Sequence, residues 1–210
     1  MHNNLRGLYV LTDRKLIKTR GMQAEQMVEE AILGGARIVQ YRNKQSPLSV
    51  RKQEAMGIAR ICREHRVTFL VNDDIEVAIH TEADGVHLGQ TDMPLQQARQ
   101  ELGTGKIIGI TCHNDLQLAR NAEQHGADYV AFGRFYPSRS KPGAPPASID
   151  TLVRAHQELA IPVCAIGGIT INNARNLIDH GADMIAVINE VLGAADIRHA
   201  ATSLAALFRD

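Results

Sequence analysis

Eight times along its length this chain repeats one unit: a short apolar run of strand length, a loop, and a stretch with the length or spacing of a helix. The strand-length runs fall at 7–12, 38–41, 69–71, 85–88, 107–111, 129–132, 161–166 and 184–188. Helices are expected at 23–33, 47–65, 75–80, 94–102, 115–125, 149–158, from 170 onward, and at 196–208. Local signals mark several ends. Pro47 and Pro94 open helices, Gly34-Gly35 closes one, and Asn114 or Asp115 and Thr170 stand as N-caps. At about 25 residues per pair, this is the α/β pattern of a (β/α)8 TIM barrel in a single domain spanning 1–210. An internal echo supports the count: His125-Gly126-Ala127-Asp128-Tyr129-Val130-Ala131 recurs as His180-Gly181-Ala182-Asp183-Met184-Ile185-Ala186. Gly34-Gly35-Ala36-Arg37-Ile38-Val39 is a weaker third copy, and all three read as barrel joints. An open doubly wound sheet is the alternative, but no Gly-x-Gly-x-x-Gly follows the first strand.

Composition narrows the partners. At 210 residues and 44% hydrophobic, the chain can bury one large core. Lys plus Arg equals Asp plus Glu at 23 each, and no Lys/Arg-dense segment suggests nucleic acid. The first residues carry no apolar signal-peptide run, and no stretch approaches membrane-spanning length. Cys62, Cys112 and Cys164 are odd in number and widely spaced, which points to reduced packing thiols in a cytoplasmic protein.

In such barrels the chemistry collects at the C-terminal ends of the strands. Those ends offer Gln40, Arg42 and Lys44; Asn72, Asp73 and Asp74; His87, Gly89, Gln90 and Asp92; Thr111 and His113; Ser138, Arg139, Ser140 and Lys141; Gly167-Gly168; and Asn189. Asp73 and Asp92 end neighbouring strands and so stand side by side, a hard oxygen pair suited to Mg²⁺ shared with a substrate phosphate. Arg42, Lys44 and Lys141 can converge on an anion that the two carboxylates would otherwise repel. Gly167-Gly168 before a helix, with the turn after strand eight, matches the phosphate site that barrels build there from backbone N–H groups. Each feature has a plainer reading too. Asn72-Asp73-Asp74 is good helix-capping chemistry, Gly-Gly is a common turn, and residues 138–141 could be a solvated loop. The second acidic loop, one unit after the first, favours the metal. His87 and His113 read as packing or hydrogen-bonding residues, because the oxygen donors already suit a hard ion.

Taken in order, these motifs resemble the thiamine-phosphate synthase family over nearly the whole chain. The matching stretches are Gln40-Tyr41-Arg42-Asn43-Lys44, Asn72-Asp73-Asp74, Gly85-Val86-His87-Leu88-Gly89-Gln90-Thr91-Asp92, Ser138-Arg139-Ser140-Lys141-Pro142-Gly143-Ala144 and Ala165-Ile166-Gly167-Gly168-Ile169. The resemblance implies transfer of a hydroxymethylpyrimidine group from its diphosphate to a thiazole phosphate, giving thiamine phosphate and pyrophosphate by a dissociative route. It implies that Gln40, Tyr41, Arg42, Asn43, Lys44, Asn72, Thr111 and Lys141 bind the pyrimidine diphosphate, with Arg42, Lys44, Thr111 and Lys141 acting in catalysis. By the same resemblance Ser138, Arg139, Ser140, Gly168, Ile188 and Asn189 bind the thiazole phosphate, and Asp73 and Asp92 bind Mg²⁺. It also implies small-molecule partners, no nucleic acid, no membrane and a possible homodimer. The chain departs from the family pattern at Thr111, where Ser is usual; at Ser138-Arg139-Ser140, where Thr-x-Thr is usual; and at Asn189, where Ser is common. The rivals are a thiazole tautomerase on the same barrel and a non-catalytic thiamine-precursor binding protein. Asp73, Asp92 and the Gln40-x-Arg42-x-Lys44 set argue against both.

Overall fold

The computed structural model describes residues 5–137 and 146–208. Eight parallel strands close into a barrel in chain order: β1 (Gly7–Leu11), β2 (Ile38–Tyr41), β3 (Thr68–Asn72), β4 (Gly85–Leu88), β5 (Ile107–His113), β6 (Tyr129–Phe132), β7 (Val163–Ile166) and β8 (Met184–Val187). Around it run α1 (Arg14–Arg20), α2 (Ala24–Leu33), α3 (Leu48–Glu64), α4 (Ile75–His80), α5 (Leu95–Leu102), α6 (Leu116–Gln124), α7 (Ile149–Glu158), α8 (Ile171–Asp179), α9 (Asn189–Leu192) and α10 (Ile197–Ala206). This is the expected (β/α)8 barrel, with two helices more than the sequence indicated. Helix α1 buries none of its residues, so it carries no apolar stripe to read. It is fixed by Asp13, whose side chain accepts from Leu16 N at 2.9 Å. Helix α9, at four residues, is too short to show a period. Strand β7 begins at Val163 rather than at 161, because Pro162 has no N–H to give a ladder. Strand β5 runs on to His113 through a register shift beside β6.

The repeated Gly-Ala-Asp joints have a physical basis. Each turns a helix end into the next strand and also ties down the strand before it. Ala127 N donates to Ala122 O at 2.9 Å and Ala182 N to Leu177 O at 3.0 Å, closing the helix ends through Gly126 and Gly181 at positive φ. The aspartate then makes two bonds to the preceding strand. Asp128 N donates to Ile108 O and its carboxylate accepts from Ile108 N; Asp183 does the same with Val163. A fourth joint, missed in the sequence because Glu82 replaces glycine there, is Ala83-Asp84 against Phe69. In the weak copy Arg37 keeps only the backbone bond, to Leu8 O at 2.9 Å.

Strand alternation sorts side chains into two layers. Val10, Val39, Tyr41, Val71, Val86, Ile108, Val130 and Ile185 face the helices. Tyr9, Leu11, Ile38, Leu70, Ile107, Tyr129, Cys164 and Met184 fill the barrel interior. The interior floor under the C-terminal mouth is therefore closely packed, and a polar group left there without a partner is costly.

Candidate active site

Asn72-Asp73-Asp74 follows β3, and its three residues have separate tasks. Asp74 caps α4, accepting from Val77 N at 3.1 Å, and pairs with Arg51. Asp73 takes a left-handed backbone conformation (φ +63°), held by its N–H donating to the His87 carbonyl at 2.9 Å. That twist turns its carboxylate to within hydrogen-bonding reach of Asp92. Asp92 is set by a tight turn after β4, accepting from Gly89 N at 2.7 Å. The capping and the acidic-pair readings of the tripeptide thus both hold, on different residues.

The pair is electrostatically loaded. Burial, and then the Asp92 carboxyl beside it, hold the Asp73 carboxyl above its ordinary range, against the pull of Lys44. Lys44 Nζ makes an ion pair with Asp73, placing a cation against the pair. No cluster of three or more His, Cys, Asp or Glu side chains suited to a metal occurs among the described residues. A metal at Asp73 and Asp92 would therefore take its remaining ligands from substrate oxygens and water, which is how Mg²⁺ is commonly held. The donor set fits that ion. An acid with a raised folded-state pKa binds protons more readily folded than unfolded, so its ionisation subtracts stability as pH rises. Asp73→Asn in the metal-free chain should therefore raise Tm at neutral pH, and the gain should disappear once pH falls below the ordinary aspartate range. Melts at about pH 7 and about pH 3 check this; a variant that melts no higher than its parent at neutral pH contradicts it.

Of the expected residues in and after β2, alternate ones fall on opposite faces of the strand. Gln40 points into the barrel and is 2% exposed. Arg42 is half-buried, with its N–H donating to buried Thr12 Oγ1 at 2.9 Å. Tyr41 and Asn43 turn to α3 instead. Tyr41 OH donates to Glu54 Oε2 at 2.7 Å, and Asn43 Nδ2 donates to Glu54 Oε2 at 2.8 Å and to Ser46 Oγ at 2.9 Å. The two-residue period of a strand puts them on the other face, where they brace the loop that carries Arg42 and Lys44.

Under the mouth lies a hydrogen-bonded row that the sequence did not reveal. Gln40 Nε2 bonds Tyr9 OH, Tyr9 OH meets Tyr129 OH at 3.0 Å, and His87 joins Tyr129 OH through Nδ1 and Thr111 Oγ1 through Nε2, both at 2.8 Å. The His87 and Tyr129 rings stack at 5.5 Å. Tyr9 and Tyr129 read in the sequence as ordinary strand aromatics; the signal available was that each sits at an inward position of its strand. Two polar atoms near the ends of β2 and β3, Gln40 Oε1 and Asn72 Nδ2, are buried with no partner among the described residues. Each such atom costs about 1–3 kcal/mol, an imbalance that a polar ligand removes. Cys112 is close by but is no nucleophile, since burial pushes its thiol up to about 12.

On the far side of the mouth, Gly167 and Gly168 follow β7 at φ +105° and +65°. A Cβ on Gly168 would come within 2.4 Å of Pro137 O, so the backbone of the segment after β6 requires this glycine by close approach. Ile188 caps the short helix α9 and packs on the barrel interior, and Asn189 opens that helix in an exposed position. Glu190 Oε1 accepts from Ile171 N at 2.9 Å, so a carboxylate already covers one N–H at the start of α8. Ser138, Arg139, Ser140 and Lys141 lie outside the described residues.

An acidic pair, a lysine and a buried polar row thus meet at one end of a closed barrel. Residues 8–191 match the family model described as thiamine monophosphate synthase. The thiamine-phosphate synthase of Thioalkalivibrio sulfidiphilus is 48% identical over 204 residues, covering 97% of this chain and 96% of the relative. That of Marinobacter nauticus is 51% identical over 187 residues, covering 89% of this chain and 83% of its own. Among solved structures, a thiamine phosphate pyrophosphorylase from Pyrococcus furiosus superposes with a TM-score of 0.88 at 36% identity, over 97% of this chain and 96% of the other. Fold, near-full coverage and close identity agree, and this chain belongs to the thiamine monophosphate synthase family.

Proposed function

We propose that the acidic edge and its cations serve a diphosphate that leaves before the new bond forms. The activity is thiamine-phosphate synthesis, a transferase reaction that joins a pyrimidine diphosphate and a thiazole phosphate. The observation that carries the proposed mechanism is the pairing of Asp73 with Asp92 beside Lys44 at the mouth. Mg²⁺ on the two carboxylates would neutralise charge on the departing pyrophosphate.

The chain's own groups do the rest. Arg42 and Lys44, with Lys141 from the loop after β6, bind the diphosphate oxygens and stabilise them as the methylene C–O bond breaks and its electron pair leaves with pyrophosphate. Asn72 offers its buried N–H donor to the same ligand, and Gln40 and Thr111 hold the pyrimidine ring. The methylene is left as a short-lived cation. The thiazole nitrogen then gives its lone pair to that carbon, forming the C–N bond and a thiazolium. No proton moves in this step, so the Thr111 hydroxyl beside His87 Nε2 serves as a hydrogen-bonding group and not as a nucleophile. Ser138, Arg139 and Ser140, with Gly168, Ile188 and Asn189, hold the thiazole phosphate so that its nitrogen faces the methylene. Tyr41 and Asn43 act on the pyrimidine diphosphate through the loop they brace and not by direct contact.

This division of the mouth is tested by two substitutions. Arg42→Ala should raise KM for the pyrimidine diphosphate by about 10- to 100-fold with a small effect on the thiazole phosphate, because it removes a charged hydrogen-bond donor from one ligand only. Ser138→Ala should show the opposite preference. Equal increases in both constants for both variants would rule the division out.

A further inference from the structure

Gln40, Tyr9, Tyr129, His87 and Thr111 come from five different strands and form one row of hydrogen bonds across the barrel. Burial holds both tyrosine phenols well above their ordinary range, so each hydroxyl keeps its single proton. A neutral imidazole also carries one N–H. A row of such groups has only two fully bonded arrangements. In the first, Gln40 donates to Tyr9, Tyr9 to Tyr129, Tyr129 to His87 Nδ1, and His87 Nε2–H to Thr111. Gln40 is then left with its carbonyl oxygen free and Thr111 with a hydroxyl proton to give. In the second, every bond reverses: Thr111 can only accept, and Gln40 presents its NH2. Any mixture leaves a buried hydroxyl proton without an acceptor or sets two donors or two acceptors face to face. The structure has the first arrangement at its Gln40 end, with Nε2 on Tyr9 and Oε1 buried without a partner.

We infer that this row is a specificity relay that selects the amino form of the pyrimidine over its oxo counterpart. The inference rests on the assignment of Gln40 and Thr111 to the pyrimidine ring. An aminopyrimidine offers N–H donors on its exocyclic group and acceptors on its ring nitrogens. That is the complement of a free carbonyl at Gln40 and a donating hydroxyl at Thr111. A 4-oxo ring reverses both, offering a carbonyl and a ring N–H, and would bind well only if all the bonds of the row turned over together. Tyr9, Tyr129 and His87 are therefore positioning residues: without touching the ligand, they set which end of the row gives and which receives. A site built to satisfy one hydrogen-bond pattern rejects the reversed pattern strongly, because buried groups are then left unpaired.

The test uses the full chain with Mg²⁺, the aminopyrimidine diphosphate as substrate and its 4-oxo counterpart as competitor. In the parent chain the amino form should bind at least ~100-fold better than the oxo form. Tyr129→Phe removes the middle link with little change of shape, and Tyr9→Phe removes its neighbour. Either should narrow that ratio about tenfold. KM for the pyrimidine diphosphate should rise, while KM for the thiazole phosphate and inhibition by Mg²⁺–pyrophosphate stay unchanged. The same ratio in both folded variants as in the parent overturns the relay. A second readout needs no variant: imidazole nitrogen chemical shifts should show His87 as the Nε2–H tautomer in the complex with the amino substrate. The Nδ1–H tautomer there overturns the relay as well. Gln40→Ala separates the two levels. If it leaves KM for the pyrimidine diphosphate untouched, the assignment of Gln40 fails and the relay with it. If it raises that KM while the tyrosine variants keep the parent ratio, the relay alone fails.

Discussion

Replacing Asp73 or Asp92 with asparagine should slow turnover by roughly 10²–10⁴, the equivalent of about 3–5 kcal/mol of transition-state stabilisation. The fold should survive, because both side chains sit on loops at the barrel mouth and outside the two apolar layers. Asp92→Asn keeps an oxygen that can accept from Gly89 N, and Asp73→Asn relieves a crowded carboxylate pair. Circular dichroism should therefore match the parent and melting should stay cooperative, with the Asp73→Asn midpoint above the parent's in the metal-free chain at neutral pH. The two losses should also overlap. If both carboxylates hold one ion, removing either empties the site, and the double variant should be about as slow as the slower single one. Independent, multiplying losses would mean that the two carboxylates do separate work.

The largest structural effect is expected at Gly109. This residue lies inside β5, and a Cβ there would come within 2.0 Å of the Tyr129 ring. Tyr129 is fully buried and hydrogen-bonded to both Tyr9 and His87, so its ring has no free direction in which to move. Gly109→Ala should destabilise the chain by about 3 kcal/mol or more through overpacking and lost buried hydrogen bonds. Gly105→Ala is the matched control: nothing lies within 4 Å of its added Cβ, and the variant should be close to neutral. Urea denaturation measures both, and similar midpoints for the two variants would show that the interior can make room for the extra carbon.

The contrast between those glycines also marks where the sequence can be read and where it cannot. Alternation of short apolar runs with helical stretches is a local pattern repeated eight times, and it led directly to the closed barrel. The adjacency of Asp73 and Asp92 followed from strand order alone, since neighbouring parallel strands bring equivalent loops together. The His-Gly-Ala-Asp joints were visible as repeats, but their double bond to the preceding strand was not, because the partner lies about 20 residues upstream. Helix α1 was missed because only Leu16 and Ile17 pack against the core and none of its residues is fully buried, and two adjacent apolar residues set no period. Tyr41 and Asn43 shared a motif with Gln40 and Arg42, yet a strand turns alternate residues to opposite faces. The row through Tyr9, Tyr129 and His87 was beyond reach for a different reason. Its members stand 31 to 120 residues from their partners at several links, and only closure of the barrel brings them into line. Gly167-Gly168 carried two readings, and the structure adds a packing reason, the close approach of the backbone at Tyr136–Pro137, beside the phosphate one.

A single-turnover experiment tests the metal-assisted transfer most directly. Enzyme in excess is mixed with the pyrimidine diphosphate and the thiazole phosphate, with Mg²⁺ in one series and EDTA in the other, and thiamine phosphate and pyrophosphate are measured together. With Mg²⁺ the two products should appear in equal amounts and at one rate. With EDTA neither should form, and restoring Mg²⁺ should recover both. Full product formation in EDTA would contradict the assignment of Asp73 and Asp92 to a metal that serves the leaving group.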